Sequence, residues 1–135
     1  MRRDVWTVDV TATVADAALL MRERNVGFLP VIAEDGRCAG VITDRDLATR
    51  VLADGLRDDT LVVDVMSEHL VACRPYHDLA KAEAMLAHAQ VSRIVVLDDD
   101  GHVVGVISLT DLFFLESRER VGEVAQRVLE REVGH

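Results

Sequence analysis

Residues 26–47 read VGFLPVIAEDGRCAGVITDRDL, and residues 91–112, which lie 65 positions further on, read VSRIVVLDDDGHVVGVISLTDL. Nine of the 22 aligned pairs are identical, and the alignment needs no gap. Agreement at one fixed offset is the mark of an internal duplication. We therefore expect the structure of one half to recur in the other.

Each copy contains two short apolar runs separated by an Asp-Gly pair, Asp35-Gly36 in the first copy and Asp100-Gly101 in the second. An Asp-Gly pair between runs rich in β-branched residues predicts a β-hairpin. The residues that follow each hairpin, Thr43 and Ser108, are expected to begin a helix.

A further helix is predicted upstream of each hairpin, with Thr13 and Asp78 as N-cap residues. Apolar residues follow these caps at helical spacing. They are Val14, Ala17, Leu20 and Met21 in the first copy, and Leu79, Ala82, Met85 and Leu86 in the second. Short leading strands are expected at about Trp6–Val8 and Val71–Cys73, so that each copy has the order β-α-β-β-α.

A unit of this size cannot bury both faces of a three-stranded sheet, so the predicted fold class is α/β (α+β), with two repeats packed sheet to sheet and the helices outside. We assign the first repeat to residues 1–58, the second to residues 59–115 and a tail to residues 116–135. Residues 54–66 are interpreted as a linker. Apolar residues at helical spacing between 116 and 133 indicate a helix that either binds a partner or a second copy, or packs against its own domain.

The chain has 135 residues, 50% of them hydrophobic and 4% aromatic, so a core of aliphatic side chains is expected. Its net charge of −9 and its single lysine, Lys81, argue against nucleic acid as a partner. No apolar stretch has the length of a membrane-spanning helix. Cys38 and Cys73 lack the spacing of a disulfide framework or a zinc site, and a cytoplasmic location is expected.

The residues with the most chemical information form the pattern Gly, two apolar residues, Thr or Ser, two further residues, and Asp. It runs from Gly40 to Asp46 and from Gly105 to Asp111. At a strand-to-helix junction, free backbone N–H groups and a hydroxyl favour a phosphate, and the carboxylate suits a ribose diol. The glycine is expected to let a ligand approach the backbone closely. A hydroxyl followed three residues later by an acid is also close to a capping box, which serves only the helix itself. Spacing alone leaves both interpretations open.

Taken together, the tandem order of apolar-Pro-Val-apolar, Asp-Gly and Gly-h-h-Thr-x-x-Asp-Leu resembles a pair of CBS domains, and the resemblance covers nearly the whole chain. It implies a pseudo-twofold pair of β-α-β-β-α repeats, commonly assembled into a homodimer. It also implies regulatory binding, in clefts between the repeats, of an adenosine-containing ligand such as AMP, ADP, ATP, S-adenosylmethionine or NAD(H).

Carried over residue by residue, the resemblance assigns ribose to two aspartates, ribose or phosphate to two hydroxyls, adenine to two strand pairs, and phosphate to two arginines. In that order the residues are Asp46 and Asp111, Thr43 and Ser108, Val8 with Val31, Cys73 with Val96, and Arg45 with Arg93. Either arginine alternatively pairs with a surface carboxylate.

The sequence departs from the family pattern in two ways that bear on the ligand. The lead-in Asp64-Val65-Met66-Ser67 has only a shortened counterpart before the first repeat, so two competent sites are not assumed. Asp44 places an acid beside the expected phosphate position, which disfavours a triphosphate there.

Nothing in the sequence forms an acid–base pair, a metal-ligand set or an activated nucleophile, so no catalysis, required cofactor or metal is expected. The five histidines are interpreted as surface residues. Two functions remain. One is a nucleotide-sensing module, and the other is a structural or protein-interaction module whose Thr-x-x-Asp pattern only caps helices.

Overall fold

The computed structural model describes residues 5–68, 72–74, 80–81, 84–85, 87 and 93–108. These residues fall into two compact units. The first contains residues 6–70 together with the turn at Asp100–Val103, and the second contains the described residues from 72 to 99 and from 104 to 108. No helix within these ranges has the length and apolar character needed to cross a bilayer.

The first unit contains a three-stranded sheet in the order β1-β2-β3. Strand β1 (Val8–Asp9) pairs parallel to β2 (Phe28–Ile32), and β2 pairs antiparallel to β3 (Cys38–Thr43). The leading strand therefore begins at Val8, two residues later than predicted. Trp6 lies before it and stacks on the Arg24 guanidinium, whose central carbon is 4.0 Å from the ring centroid.

Helix α1 (Val14–Arg24) begins at the predicted residue. The backbone of Thr13 is extended, and its side chain accepts a hydrogen bond from the Asp16 N–H, which satisfies one of the donors at the start of the helix. The helix ends at Asn25, whose left-handed φ of 53° is typical of a helix C-terminus. Val14, Ala17 and Met21 are buried, as their spacing predicts.

The Asp-Gly hairpin is also confirmed. Gly36 has φ of 88°, a value that side-chain-bearing residues rarely adopt, and the Asp35 carboxylate accepts the N–H of Arg37 at 3.0 Å. The pairing register shifts between Val31 and Ile32, which marks a β-bulge at this end of the hairpin.

The two Asp-Gly turns meet within the first unit. Arg37 Nε donates to the carbonyl oxygen of Asp100 at 2.8 Å, and the N–H of Cys38 donates to the carbonyl oxygen of Gly101 at 2.9 Å. The contact is reciprocal, since Arg37 lies over Gly101 while His102 lies over Gly36. Arg37 and His102 are 65 positions apart, so they are equivalent residues of the two repeats.

Beyond the hairpin, Thr43 begins a helical segment as predicted, but most of that segment is not an α-helix. Helix α2 covers only Asp44–Asp46 and continues as a π-helix over Leu47–Leu52. The wider hydrogen-bond pattern persists at the end of the segment, where the Ala53 N–H donates to Ala48 and the Leu56 N–H donates to Val51.

Residues 61–67, which overlap the predicted linker, belong to the core of the first unit. A 3-10 helix covers Val62–Asp64, and Val62, Val65 and Met66 are buried in the same cluster as Leu29, Val31 and Ile42. Both ends of this segment are anchored. The Val62 N–H donates to Ala12, and Ser67 exchanges two backbone hydrogen bonds with Val41 at 2.9 and 3.0 Å.

The second unit repeats the sheet of the first in the order β4-β5-β6. Strand β4 (Ala72–Cys73) pairs parallel to β5 (Arg93–Leu97), and β6 (Val103–Ser108) is the other neighbour of β5. Cys73 lies opposite Val96 as Val8 lies opposite Val31, so the register keeps the offset of 65. Residues 80–81, 84–85 and 87 are helical, whereas Asp78 and the helix predicted between 116 and 133 lie outside the described residues.

Candidate functional site

The candidate ribose-binding residues lie where β3 passes into α2. The Thr43 N–H donates to Asp46 Oδ2 at 2.9 Å, and the Asp46 N–H donates to Thr43 Oγ1 at 3.1 Å. This reciprocal pair is a complete capping box, so the structural interpretation of the Thr-x-x-Asp pattern is correct for the first repeat. A ligand can use only the hydrogen-bond acceptor capacity of the Asp46 carboxylate that the capping box leaves unused.

A second capping box in the same unit provides a comparison. At the start of α1, the Thr13 N–H donates to Asp16 Oδ2 at 3.0 Å, and the Asp16 N–H donates to Thr13 Oγ1 at 3.1 Å. The two boxes have nearly identical geometry, but that of Asp16 is exposed and that of Asp46 is partly buried. Capping alone therefore does not distinguish the predicted ligand site from an ordinary helix start.

What distinguishes Asp46 is its second carboxylate oxygen. Asp46 Oδ1 lies 3.8 Å from Arg50 Nε, while 14% of the Asp46 side chain is exposed. A carboxylate oxygen has two lone pairs, so Oδ1 keeps acceptor capacity beside the guanidinium. Asp46 is thus a partly buried carboxylate with one oxygen committed to the cap and one directed to an arginine.

The residues between Thr43 and Asp46 set the charge of this helix start. Asp44 and Arg45 are both exposed. Asp44 Oδ1 accepts the Arg45 N–H at 2.8 Å, and the Asp44 carboxylate rests against Gly27, since a Cβ added there would lie 2.6 Å from Oδ2. The Asp44 N–H donates to the Gly27 carbonyl oxygen at 3.0 Å, so the N–H groups from Thr43 to Asp46 all have acceptors within the chain. The free N–H groups expected from the sequence are therefore not found at this helix start, because two nearby carboxylates, a hydroxyl and a carbonyl accept them.

Gly40 does not have the role that the sequence predicts. A Cβ added at Gly40 would lie 2.5 Å from the Ser67 carbonyl oxygen and 3.1 Å from Met66 Sδ. The close backbone approach is therefore made by residues 61–67 of the same chain, and not by a ligand. The physical reason is the antiparallel bridge between Val41 and Ser67, which draws that segment across β3.

The predicted adenine-contacting residues of the first repeat are brought together. Val8 and Val31 are register partners on β1 and β2, and both are buried in the core of the first unit. In the second unit, Cys73 and Val96 are likewise register partners, and Val96 is buried.

The structure places the remaining predicted residues less completely. Arg93 is exposed at the first position of β5, and Ser108 ends β6. Asp111 lies outside the described residues. The capping geometry of the second repeat is therefore a prediction from the first.

Sequence reasoning missed two groups of residues around Asp46. The first is Arg50, although its position four residues after Asp46 is the spacing at which helical ion pairs form. The second is the 61–67 segment, most of which is interpreted above as linker although five of its seven residues are apolar, a composition that indicates burial. Both contact the helix or strand that carries the candidate ribose-binding residues.

Cys38 lies at the start of β3. Its thiol lies 3.3 Å from the Gly40 carbonyl oxygen, to which it donates. Burial raises the pKa of this thiol, and hydrogen bonds with the backbone of Gly40 and Val31 only partly offset that rise.

Comparison with known proteins agrees with the repeated fold described above. The CBS domain family pattern matches residues 1–53 and again residues 62–118. The chain is 39% identical over 112 residues to the CBS domain-containing protein YhcV of Bacillus subtilis, a match that covers 83% of this chain and 79% of YhcV. The chain spans only 21 to 23% of several longer relatives that have enzyme names.

Solved structures show the same fold. A CBS domain protein of unknown function from Thermoplasma acidophilum has a TM-score of 0.82 and 27% identity, covering 94% of this chain and 72% of that protein. A CBS domain protein from Pyrobaculum aerophilum, solved in complex with AMP, has a TM-score of 0.77 and 24% identity, covering 93% of this chain and 95% of that protein. Because the described strands form the same sheet twice and the family pattern matches twice over most of the chain, the chain belongs to the CBS domain family.

Proposed function

We propose that this protein is a non-catalytic regulatory module that binds an adenosine-containing ligand. The observation that carries the proposal is the state of Asp46, which is partly buried and keeps one carboxylate oxygen outside its capping box. The Pyrobaculum relative, which was solved with AMP, supports the same class of ligand.

In this proposal the ribose diol binds Asp46 Oδ1, and the Thr43 hydroxyl contacts ribose or phosphate. Thr43 is partly exposed, so both groups accept a ligand without disruption of the core. Before the ligand arrives, the Asp46 carboxylate is held by the hydrogen bond that its Oδ2 accepts from the Thr43 N–H and by the Arg50 guanidinium beside its Oδ1, which lowers the entropy that binding has to remove.

We extend the proposal to the second repeat by equivalence. Ser108 and Asp111 take the roles of Thr43 and Asp46, and Arg45 and Arg93 are the proposed phosphate ligands. Adenine is assigned to the strand pairs Val8–Val31 and Cys73–Val96. Because Val31 has no exposed surface, adenine reaches the first pair only if the residues that cover it move.

The charge at the start of α2 narrows the ligand class. Asp44 is an exposed carboxylate next to the expected phosphate position, and each negative charge added to the ligand there increases the repulsion. We therefore favour AMP or S-adenosylmethionine over ATP as the ligand of the first repeat.

Isothermal titration with AMP tests the proposal, and the second capping box provides a matched control. Asp46→Ala and Asp16→Ala each remove the carboxylate of one box, at a cost of about 0.5–1 kcal/mol of stability. We expect saturable AMP binding by the wild type and by Asp16→Ala, and weakened binding by Asp46→Ala. Equal affinity in the two variants would show that Asp46 only caps its helix.

A second candidate function is a structural or protein-interaction module, most simply a homodimer. The observation that favours it is the complete capping box at Thr43–Asp46, because that interaction needs no ligand. This candidate predicts no binding of AMP, ADP, ATP, S-adenosylmethionine or NADH, and an oligomer that persists in an Asp46→Ala, Asp111→Ala double variant. The ligand titrations distinguish the two candidates, and light scattering of that variant after size exclusion tests whether the oligomer persists.

A further inference from the structure

Arg50 bridges the candidate ribose aspartate and the chain that follows the first repeat. Its Nε lies 3.8 Å from Asp46 Oδ1, and its Nη1 donates to the carbonyl oxygens of Val65 and Met66, each at 3.3 Å. A guanidinium presents several donors in one rigid plane, so one arginine can address a carboxylate and two carbonyls together. These contacts link α2 to residues 61–67.

The 61–67 segment is held in place by contacts with β3 and with Arg50, so a change at Arg50 can be passed on to the chain that follows. Ser67 exchanges two hydrogen bonds with Val41, which lies two residues before Thr43 on β3. Val65 and Met66, whose carbonyl oxygens accept hydrogen bonds from the Arg50 guanidinium, are buried. The segment is therefore ordered by the same core that positions Thr43. Arg50 adds a second link, from the helical turn after Asp46 to the carbonyl oxygens of the segment.

The local helix geometry supports a special role for this position. The chain changes from α-helix to π-helix immediately after Asp46, and Arg50 lies within the π-helical turn. Turns of π-helix are rare and occur frequently at functional sites. The equivalent position of the second repeat, 65 residues later, is Leu115, so the arginine is not a requirement of the repeat itself.

We infer that Arg50 is a positioning residue that orients Asp46 for the ligand and couples occupancy of Asp46 to residues 61–67. This inference rests on the proposed function. A ribose hydroxyl that donates to Asp46 Oδ1 binds the oxygen that faces Arg50, so ligand and guanidinium share one acceptor. Ligand binding is then transmitted through Arg50 to the Val65 and Met66 carbonyls, and from there along the chain that leads to the second repeat.

Two measurements on the full chain test this inference: the affinity for AMP by titration, and hydrogen exchange at the Ser67 amide with and without AMP. The variants are Arg50→Leu, which reproduces the residue of the second repeat, and Arg50→Lys, which keeps the charge but not the planar set of donors. Arg57→Leu is the control, since Arg57 is highly exposed and lies 3.5 Å from the exposed Asp59.

In the wild type we expect AMP to slow exchange at Ser67. In Arg50→Leu, AMP affinity falls roughly threefold to tenfold and the AMP-dependent slowing is lost. Arg50→Lys recovers part of the affinity but not the slowing, a split that a merely stabilising residue would not produce. Arg57→Leu retains both properties. Because half of the Arg50 side chain is exposed, these variants are expected to fold.

The possible failures are distinguishable. Failure of the wild-type chain to bind either AMP or S-adenosylmethionine contradicts the proposed function and this inference with it. Binding by the wild type, loss in Asp46→Ala and unchanged affinity and Ser67 slowing in Arg50→Leu contradict only the role of Arg50. Reduced affinity with intact slowing in Arg50→Leu also overturns the inference, because coupling would then bypass Arg50.

Discussion

The close contact between Gly40 and the Ser67 carbonyl oxygen leaves no room for a side chain at position 40. We expect Gly40→Ala to lower the free energy of unfolding by about 1–3 kcal/mol, since the new methyl group would meet a backbone oxygen held by the Val41–Ser67 bridge. Gly27→Ala is the matched control. Its methyl group meets the end of the exposed Asp44 side chain, which can rotate away. Urea unfolding of the two variants measures the difference, and equal losses would contradict the assignment of Gly40 to chain packing.

The exposed carboxylate of Asp44 is expected to control ligand charge. Asp44→Asn removes one negative charge beside the proposed phosphate position, so the affinity for ATP should rise relative to AMP by about two- to fivefold. Competition titrations with both nucleotides measure this ratio. Asp16→Asn, at the start of the other capped helix, should leave the ratio unchanged. A ratio that does not change in Asp44→Asn would place the phosphate elsewhere.

Burial of Cys38 has a measurable chemical consequence. Because burial raises the pKa of the thiol, less thiolate is present at neutral pH than in an unfolded chain. The folded state disfavours the thiolate, so the associated stability is present below the ordinary thiol pKa and is lost as the pH rises through the raised value. In a Cys73→Ser background, iodoacetamide should label Cys38 slowly at pH 7.5 and faster in urea. Equal rates in the two conditions would contradict the burial.

At the scale of elements, the strongest sequence signals were those with a local physical cause. Thr13 and Gly36 fixed a helix start and a turn because a side-chain cap and a positive φ depend only on neighbouring residues. The π-helix after Asp46 could not be predicted, since a shift from i+4 to i+5 hydrogen bonds leaves no apolar period of its own. The role of Gly40 was misassigned because its neighbour, Ser67, is distant in sequence.

The 61–67 segment should behave as a structural element although only part of it is regular. The Ser67 amide is hydrogen bonded to Val41. The Val62 amide is hydrogen bonded to Ala12, and the Val62 side chain is fully buried. We expect both amides to exchange far more slowly than that of Asp59 in the exposed loop before them. Exchange monitored by NMR measures this directly. Comparable rates at Ser67 and Asp59 would mean that the bridge to β3 opens freely.

At the scale of the whole molecule, duplication places the same Gly-to-Asp pattern in both repeats, but the residues around the pattern differ. The positions equivalent to Asp44, Arg45 and Arg50 are Leu109, Thr110 and Leu115. The second repeat thus keeps the hydroxyl and the aspartate of the pattern while it replaces every charged residue that surrounds them in the first. We expect the first site to gain from the positioning of Asp46 and to select against negative charge, and the second to do neither.

This difference predicts that the two nucleotides distribute differently between the repeats. ATP should bind mainly at the second repeat, where Leu109 replaces the repelling carboxylate, whereas AMP should bind at both. Asp111→Ala should then abolish most ATP binding and halve the AMP stoichiometry, and Asp46→Ala should halve the AMP stoichiometry while ATP binding persists. Titrations of both variants with both nucleotides decide the matter, with Asp16→Ala as the control for loss of a cap. If ATP binding is lost in Asp46→Ala and retained in Asp111→Ala, charge at position 44 does not govern selection, and the specificity of this protein lies in its adenine contacts.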